Sequence, residues 1–306
     1  MVVRAVATLS LWFALCPLCL RGESPTLESR LAPLAKAHKG KVAIAVKHLI
    51  TGESYALNAD EVMPTASLIK LAVMAEVYQQ VKEGKINLSD TVTLTKEDKV
   101  RGSGILTEHF SDGATFPLRD AVRLMIVFSD NTATNLVLDK IGIESTGKRM
   151  KEWGLPNTMI NAKVFKGDTT SIAPERTKKY GLGSTTANEM IGLLEKLQNS
   201  KVADGAACKE MLDHLKKCED KDKFTNLLPD ATIVAHKTGS VNDIRTDAGI
   251  IYTSSGPVAV CVLTWENEDQ RWKPDNAGNV ICAKVAQAVF EHFNTGLKPV
   301  VPGVGK

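Results

Sequence analysis

The chain has 306 residues, of which 43% are hydrophobic and 24% are charged. This composition is typical of a globular protein and excludes a disordered or fibrous one. The 38 basic and 35 acidic residues leave a formal net charge of +3, which gives no basis for a nucleic-acid-binding surface.

The N-terminus carries a short apolar run. Arg4 precedes it, no charged residue occurs from Ala5 to Leu20, and Arg21 ends it. A charged start followed by a short apolar core predicts a secretory signal peptide over residues 1–22, and the run is short for a transmembrane helix. We therefore expect a secreted or periplasmic protein with no stable membrane span after cleavage. Lipidation at Cys16 or Cys19 is the alternative.

The predicted elements begin with a helix over residues 26–38, where leucines recur at helical spacing. Two strand-like runs follow, Lys41–His48 and Glu53–Asn58, and Thr51-Gly52 supplies the turn of a hairpin between them. The segment Ala66–Val81 is apolar on nearly every side, which is typical of a buried helix. Gly84 ends this helix.

The middle of the chain is predicted to be helical and its end to be mixed. The predicted helices are Leu118–Phe128, Thr132–Ile141, 185–198, 206–217 and Ala277–Phe293. The predicted strands of the last third are Thr232–Lys237, Ala248–Thr253 and Val258–Trp265. Because strands from both ends flank a helical middle, we expect an α+β fold with one antiparallel five-stranded sheet flanked by helices, plus an all-helical lobe. The prediction is a single domain over residues 23–306. Its α/β lobe spans about 25–62 and 231–298, and its helical lobe about 63–230.

Four of the six cysteines follow the predicted signal peptide. Cys208 and Cys218 occur in what reads as one helix, which would separate them by about 15 Å, too far for a disulfide. Cys261 and Cys282 occur in apolar patterns, where small buried side chains are expected.

The first motif that carries chemistry is Ser67-Leu68-Ile69-Lys70, at the start of the buried helix. A spacing of three places Ser67 and Lys70 on the same helix face. A serine needs a nearby base to become a nucleophile, and burial makes a lysine easier to deprotonate. Alone the motif is weak, but a lysine among apolar helix residues requires a partner or a task.

Two further motifs follow in a fixed order. Ser129-Asp130-Asn131 lies between two predicted helices and, taken alone, is more typical of a helix cap. Lys237-Thr238-Gly239-Ser240 lies at a predicted strand end. It is interpreted either as a polar turn or as a cationic, hydroxyl-bearing edge that binds a carboxylate.

Together, the three motifs resemble the active site of class A β-lactamases and penicillin-binding proteins. The resemblance extends from about Leu27 to the last helix and implies a β-lactamase-like fold. It implies a hydrolase that acts on a β-lactam or peptidoglycan-like small molecule, without a cofactor and as a monomer.

The resemblance also implies catalytic roles. Ser67 attacks the carbonyl carbon, Lys70 moves the proton of Ser67, and Ser129 relays a proton to the leaving nitrogen with help from the charge of Lys237.

Substrate-binding roles are implied for a second set of residues. Asn131 binds the side-chain amide of the substrate, and Thr238 together with Ser240 holds its carboxylate. Lys237 and Gly239 complete the implied substrate-binding set. The backbone N–H groups of Ser67 and Ser240 form the oxyanion hole.

The chain departs from the resemblance in the loop before residue 185. Class A enzymes use a loop glutamate to activate the water that releases the acyl group, and no clear equivalent occurs here. Glu175 is the best candidate by residue type, while Asp168 is nearer in position. Gly102-Ser103-Gly104 is predicted to be a flexible loop at the mouth of the cleft. Arg245 either adds positive charge near the carboxylate site or is a solvated hairpin residue.

The sequence is compatible with three functions. The first is a β-lactam hydrolase with an acyl-Ser67 intermediate, and the second is a D-alanyl-D-alanine peptidase or esterase of the same fold. The third is a penicillin-binding sensor that is acylated once. Metal chemistry is not predicted, because the six histidines form none of the sequence pairs typical of a metal site.

Overall fold

The computed structural model describes residues 25–294, so the predicted signal peptide lies outside the described residues. The helices are α1 Leu27–Ala37, α2 Lys70–Lys82, α3 Leu106–His109, α4 Leu118–Val127, α5 Asn131–Ile141, α6 Ile143–Glu152, α7 Gly167–Thr170, α8 Pro174–Tyr180, α9 Ala187–Gln198, α10 Gly205–Leu215 and α11 Ala277–Phe293. The strands are β1 Lys41–His48, β2 Ser54–Leu57, β3 Met63–Pro64, β4 Thr91–Thr93, β5 Thr115–Pro117, β6 Met159–Ile160, β7 Gly183–Thr185, β8 Val234–Val241, β9 Ile244–Thr253 and β10 Gly256–Trp265. Single 3-10 turns span Ala66–Ile69 and Lys96–Asp98.

Five of these strands form one antiparallel sheet in the order β2-β1-β10-β9-β8. The N-terminal hairpin thus joins the C-terminal strands through the pairing of β1 with β10, and the α+β prediction with a five-stranded antiparallel sheet is confirmed. Strand β8 lies at one edge of the sheet, so its outer side pairs with no strand of this sheet and can face a substrate or another part of the chain.

The two faces of the sheet carry side chains of different size. On β1, Ala43 and Ala45 belong to the core shared with helix α2, while Val42, Ile44 and Val46 pack against α1 and α11. Successive side chains of a strand point to opposite faces, so this alternation of small and branched residues serves two packing layers. The small side chains let the helices of the middle segment approach the sheet closely.

The middle segment is not all-helical, which corrects the prediction. It also contains a three-stranded sheet, β3-β7-β6, and a two-stranded sheet, β4-β5. Strands of two or three residues show no periodicity that a sequence pattern could reveal.

Strands β8 and β9 are longer than predicted. They continue to a tight turn at Asn242 and Asp243, and Asn242 adopts a φ of 40°. Asparagine tolerates this left-handed conformation better than most residues. As a result, Lys237-Thr238-Gly239-Ser240 lies inside a paired strand and not in a polar turn.

The four cysteines of the described chain are buried and unpaired. Helix α10 ends at Leu215, so Cys208 and Cys218 do not share one continuous helix as predicted. Cys218 belongs to the segment that runs from α10 toward β8.

No helix within residues 25–294 is long and apolar enough to cross a membrane.

Candidate active site

A cleft of about 280 Å³ opens between strand β8, at the edge of the five-stranded sheet, and the middle segment of the chain, residues 63–230. It includes six of the eight residues that the sequence motifs singled out as site residues, and their side chains or backbone line its wall: Ser67, Ser129, Lys237, Thr238, Gly239 and Ser240. Lys70 and Asn131 lie behind this wall, so the three motifs meet at one place in the fold.

Ser67 lies in the 3-10 turn that leads into α2, and it is half-buried. The preceding residue, Ala66, has a φ of 46°, a left-handed conformation that non-glycine residues rarely adopt. The Ser67 hydroxyl has no hydrogen bond to another side chain of residues 25–294. In an unliganded site such bonds are often long and tighten only when substrate binds.

Lys70 is fully buried and bonds to the second motif. Its Nζ donates to the carbonyl oxygen of Ser129 at 2.6 Å, to Oγ of Ser129 at 3.2 Å and to Oδ1 of Asn131 at 2.9 Å. Burial lowers the pKa of Lys70 well below its ordinary value, and the charge of Lys237 lowers it further, while Asp130 opposes the shift. The neutral amine, which is the form that accepts a proton, is therefore populated at a lower pH than in a solvated lysine.

Lys237 approaches the same serine from the sheet. Its Nζ donates to Oγ of Ser129 at 3.1 Å and to the carbonyl oxygen of Thr238 at 2.8 Å. The Ser129 hydroxyl thus lies between two lysines, which suits a group that passes protons. Burial lowers the pKa of Lys237, whereas the acidic groups of Cys218, Asp220 and Asp247 oppose this shift.

Asn131 has both ends of its amide engaged. Oδ1 accepts from Lys70, and Nδ2 donates to the carbonyl oxygen of Arg101 at 3.1 Å. It is 6% exposed. Asn131 thereby positions Lys70.

Asp130, between the two motif residues, holds the neighbouring loop. Its carboxylate accepts from the backbone N–H groups of Ile105 at 2.7 Å, Leu106 at 2.9 Å and Ala133 at 2.8 Å. The bond to Ala133 caps helix α5, so the capping interpretation of this motif is confirmed alongside its place at the cleft. Gly104, with a φ of 122°, lies so close that a Cβ would collide with Asp130. The Gly102-Ser103-Gly104 segment is thus held tightly against the motif.

This bonding predicts a large loss of stability for Asp130→Ala. The variant removes a helix cap and leaves two further backbone N–H groups without their acceptor, one of them buried, at a cost of about 2–4 kcal/mol in the free energy of unfolding. Urea unfolding measures it. Asp204→Ala is the matched control, because Asp204 caps α10 through a single exposed bond to Ala207 at 2.8 Å, and it should cost about 1 kcal/mol. Equal losses of unfolding free energy in the two variants would contradict the role of Asp130 in holding the loop that contains Ile105 and Leu106.

Gly239 lets the edge strand approach the serine turn. A Cβ on Gly239 would collide with the carbonyl oxygen of Thr65 and lie 2.5 Å from Oγ1 of Thr246 and 2.9 Å from the backbone nitrogen of Leu68. Thr246 strengthens this junction, since its hydroxyl donates to the carbonyl oxygen of Thr65 at 2.8 Å. The sequence motifs did not identify Thr246.

We predict that Gly239→Ala slows acylation of Ser67 about 100-fold, because a displacement near 1 Å has this effect on a positioned reaction. The second-order rate of covalent labelling by a penicillin measures the loss. Gly147→Ala, in helix α6, is the control, because the nearest atom to its added Cβ is 3.4 Å away in a flexible methionine side chain. An unchanged labelling rate in Gly239→Ala would show that strand β8 and the turn that carries Ser67 can move apart without slowing acylation.

Arg245 is not a solvated hairpin residue, so that alternative is wrong. It is 1% exposed and lines the cleft. Its guanidinium donates to the carbonyl oxygens of Asn242 and Ile244 at 2.8 Å and of Arg271 at 3.0 Å, and it lies 4.9 Å from the ring centre of Trp272. Arg245 thereby fixes the segment before α11 as a wall of the cleft.

The two loop carboxylates considered as water-activating groups do not reach the cleft. Glu175 is exposed in the first turn of α8, and Asp168 is exposed in α7. Neither lines the cleft. The carboxylates that do line it come from the segment after α10, and they are Glu219, Asp220 and Asp222.

Within residues 25–294, no group of three or more His, Cys, Asp and Glu side chains is arranged to hold a metal ion. A cleft that is lined by Ser67 and by Ser129, whose hydroxyl accepts from two buried lysines, is suited to acyl transfer through a covalent acyl-serine. The class of protein that this fold and site define is a serine hydrolase.

Comparison with known proteins agrees with that class. The model of the beta-lactamase enzyme family matches residues 26–293, and the chain belongs to this family. It is 26% identical to a beta-lactamase of Bacillus licheniformis over 248 residues, covering 80% of this chain and 78% of that protein. It is 24% identical over 305 residues to the extended-spectrum beta-lactamase PER-1 of Pseudomonas aeruginosa, covering 95% of each.

Solved structures show the same fold. A beta-lactamase from Sphaerobacter thermophilus superposes with a TM-score of 0.78 at 27% identity, covering 89% of this chain and 99% of that one. The structure of PBP-A superposes with a TM-score of 0.75 at 23% identity, covering 87% and 95%.

Proposed function

We propose that this protein hydrolyses β-lactams through a covalent acyl-Ser67 intermediate, and that release of the acyl group limits its turnover. The observation that carries the proposal is the Ser129 hydroxyl held between Lys70 and Lys237 in the cleft that Ser67 also lines. Membership of the beta-lactamase enzyme family supports the substrate class.

In the acylation step, Oγ of Ser67 attacks the lactam carbonyl carbon while its proton moves to the neutral amine of Lys70. The backbone N–H groups of Ser67 and Ser240 stabilise the negative charge on the carbonyl oxygen, as in other oxyanion holes. The ring C–N bond then breaks, and Ser129 gives its proton to the leaving nitrogen. Ser129 recovers a proton from the lysine that received it.

In the bound substrate, the carboxylate faces Lys237, Thr238 and Ser240 on the edge strand. Lys237 is fully buried, so its charge acts through little screening water. Asn131 binds the side-chain amide of the substrate when that group enters the cleft.

Deacylation needs a base that activates water, and Asp220, one of the three carboxylates that line the cleft, is a poor one. Burial opposes the ionisation of Asp220, but its ion pair with Lys223 at 2.7 Å holds the pKa of this carboxyl well below its usual range. A carboxylate with so low a pKa is a weak general base. Since Glu175 and Asp168 lie outside the cleft, we expect a slow second step.

The test is a time course with a chromogenic cephalosporin at several protein concentrations. The expected result is a burst equal to the protein concentration, followed by a slow steady rate. Protein pretreated with a penicillin serves as the control and should show no burst. A steady rate without a burst would contradict slow deacylation, and the absence of any signal would contradict the substrate class.

A second candidate is a D-alanyl-D-alanine peptidase, which the position of Glu175 and Asp168 outside the cleft favours. Release of D-alanine from a peptide ending in D-alanyl-D-alanine would support it, provided that a penicillin blocks the release. Absence of D-alanine release together with a cephalosporin burst would leave β-lactam hydrolysis as the function.

We also propose that residues 1–22 direct export and that the mature protein acts as a monomer outside the cytoplasm. The uncharged run from Ala5 to Leu20 supports export. Detection of a shortened chain in the periplasm or medium tests it, and a full-length chain retained in the cytoplasm would contradict it.

A further inference from the structure

Three side chains that the acylation mechanism does not use, Cys218, His236 and Asp247, interact electrostatically beside the cleft. Asp247 on β9 is fully buried, and both of its carboxylate oxygens lie 3.0 Å from Nδ1 of His236 on β8. Cys218, after α10, is 1% exposed and lines the cleft. A thiol, an imidazole and a carboxylate in this order are the parts of an activated nucleophile.

The imidazole of His236 is held in a fitted space. The backbone nitrogen of Phe224 donates to Asp247 at 3.1 Å, and the Phe224 ring stacks on His236 with centroids 6.1 Å apart and an interplanar angle of 17°. On the paired strand, a Cβ at Gly249 would lie 2.5 Å from Cβ of His236. Glycine at that position therefore leaves room for the histidine.

The second ring nitrogen of His236 has no partner of its own. Nε2 is buried, and among the described residues no group hydrogen-bonds to it with good geometry. Because Nδ1 donates to Asp247, Nε2 is the nitrogen left to interact with the Cys218 thiol. An unpaired buried nitrogen is costly, and the negative charge of a Cys218 thiolate would offset part of that cost.

Charge among these three side chains favours an imidazolium beside a thiolate. Burial opposes the charged imidazole, but Asp247 and Cys218 outweigh it and raise the pKa of His236 to about 10. Burial likewise opposes the thiolate, but the charges of His236 and Lys237 lower the pKa of Cys218 to about 7, against the smaller effect of Asp247. The thiolate is the reactive form of cysteine.

The other three cysteines provide an internal comparison. Cys208, Cys261 and Cys282 are also buried, but none of them lines the cleft. Burial raises the pKa of Cys261 and of Cys282 above the ordinary value, which suppresses their thiolates.

We propose that Cys218 is a second nucleophile of this protein and a modification site for small electrophiles that enter the cleft, with hydrogen peroxide as the type reagent. The thiolate sulfur attacks one peroxide oxygen, so that an S–O bond forms and the O–O bond breaks. The departing hydroxide takes the Nε2 proton of His236 and leaves as water. Sulfur is oxidised to a sulfenic acid, and the peroxide is reduced.

The test exposes the folded full chain to hydrogen peroxide and dimedone, which traps sulfenic acids, over a range of pH. Mass spectrometry of peptides then gives the labelling rate at each cysteine. At pH 7 we expect Cys218 to label about tenfold faster than Cys208, Cys261 and Cys282, with a midpoint below the ordinary thiol pKa of about 8.5. Labelling in urea shows that all four peptides are detectable.

Two variants distinguish the effect of His236 on the reactivity of Cys218 from the effect of any histidine replacement elsewhere in the protein. His236→Asn should slow Cys218 labelling severalfold and raise its midpoint. His292→Asn should leave both unchanged, because His292 is bound to Glu53 on another face. Equal labelling of the four cysteines in the folded wild-type chain would overturn the proposal even if His236→Asn did not fold. An unchanged midpoint in folded His236→Asn would overturn it too.

Discussion

Replacing Ser67 by alanine should abolish β-lactam turnover, with a loss of about 10⁴-fold or more in the rate of hydrolysis, the scale seen when the nucleophile of a serine hydrolase is removed. The side chain is half-buried, so its loss has little effect on the core. The measurement is the initial rate with a chromogenic cephalosporin, together with urea unfolding to verify the fold.

Ser89→Ala is the matched control for this serine. Ser89 is exposed and does not line the cleft, so its variant should retain the wild-type rate. If Ser67→Ala retained more than a small fraction of the wild-type rate while folding normally, another residue would be the nucleophile.

Lys70→Arg should slow acylation by about 10²–10⁴-fold, the usual contribution of a general base. Arginine keeps the positive charge but cannot be deprotonated at ordinary pH, so this variant separates proton transfer from electrostatic attraction. In the wild-type protein, the acylation rate should rise with pH as Lys70 loses its proton. The midpoint should lie below the ordinary lysine pKa of about 10.4, because burial and Lys237 lower the pKa of Lys70.

The pH profile of Lys70→Arg completes the test. We expect the acylation rate of this variant to be low and no longer to rise with pH. If the variant acylated at the wild-type rate, Lys70 would act through its charge alone and another group would accept the proton.

Part of the arrangement of the candidate site can be predicted from the sequence, because part of its signal is local and chemical. Ser67 and Lys70 are three residues apart on one turn, so their proximity follows from the backbone. The meeting of Ser129 with Lys237 is a long-range contact, and it was predicted only through the resemblance carried by the three motifs together. The five-stranded sheet was predictable from alternating apolar runs at both ends of the chain.

Other features depend on contacts that no single segment contains. Thr238 and Gly239 look like turn residues, yet they lie in a strand because β9 pairs with them. Cys218, His236 and Asp247 come from three separate segments, and each has an ordinary interpretation by itself. The sequence alone does not show that Arg245 is buried, because the segment that contains Trp272 and packs against it lies far along the chain.

The most direct test of the central claim is the mass of the intact protein after brief incubation with a penicillin, followed by mapping of the modified peptide. We expect one added ring-opened lactam for each chain, attached to Ser67. Absence of an adduct would contradict acyl-enzyme formation, and an adduct on another residue, Cys218 included, would contradict Ser67 as the nucleophile.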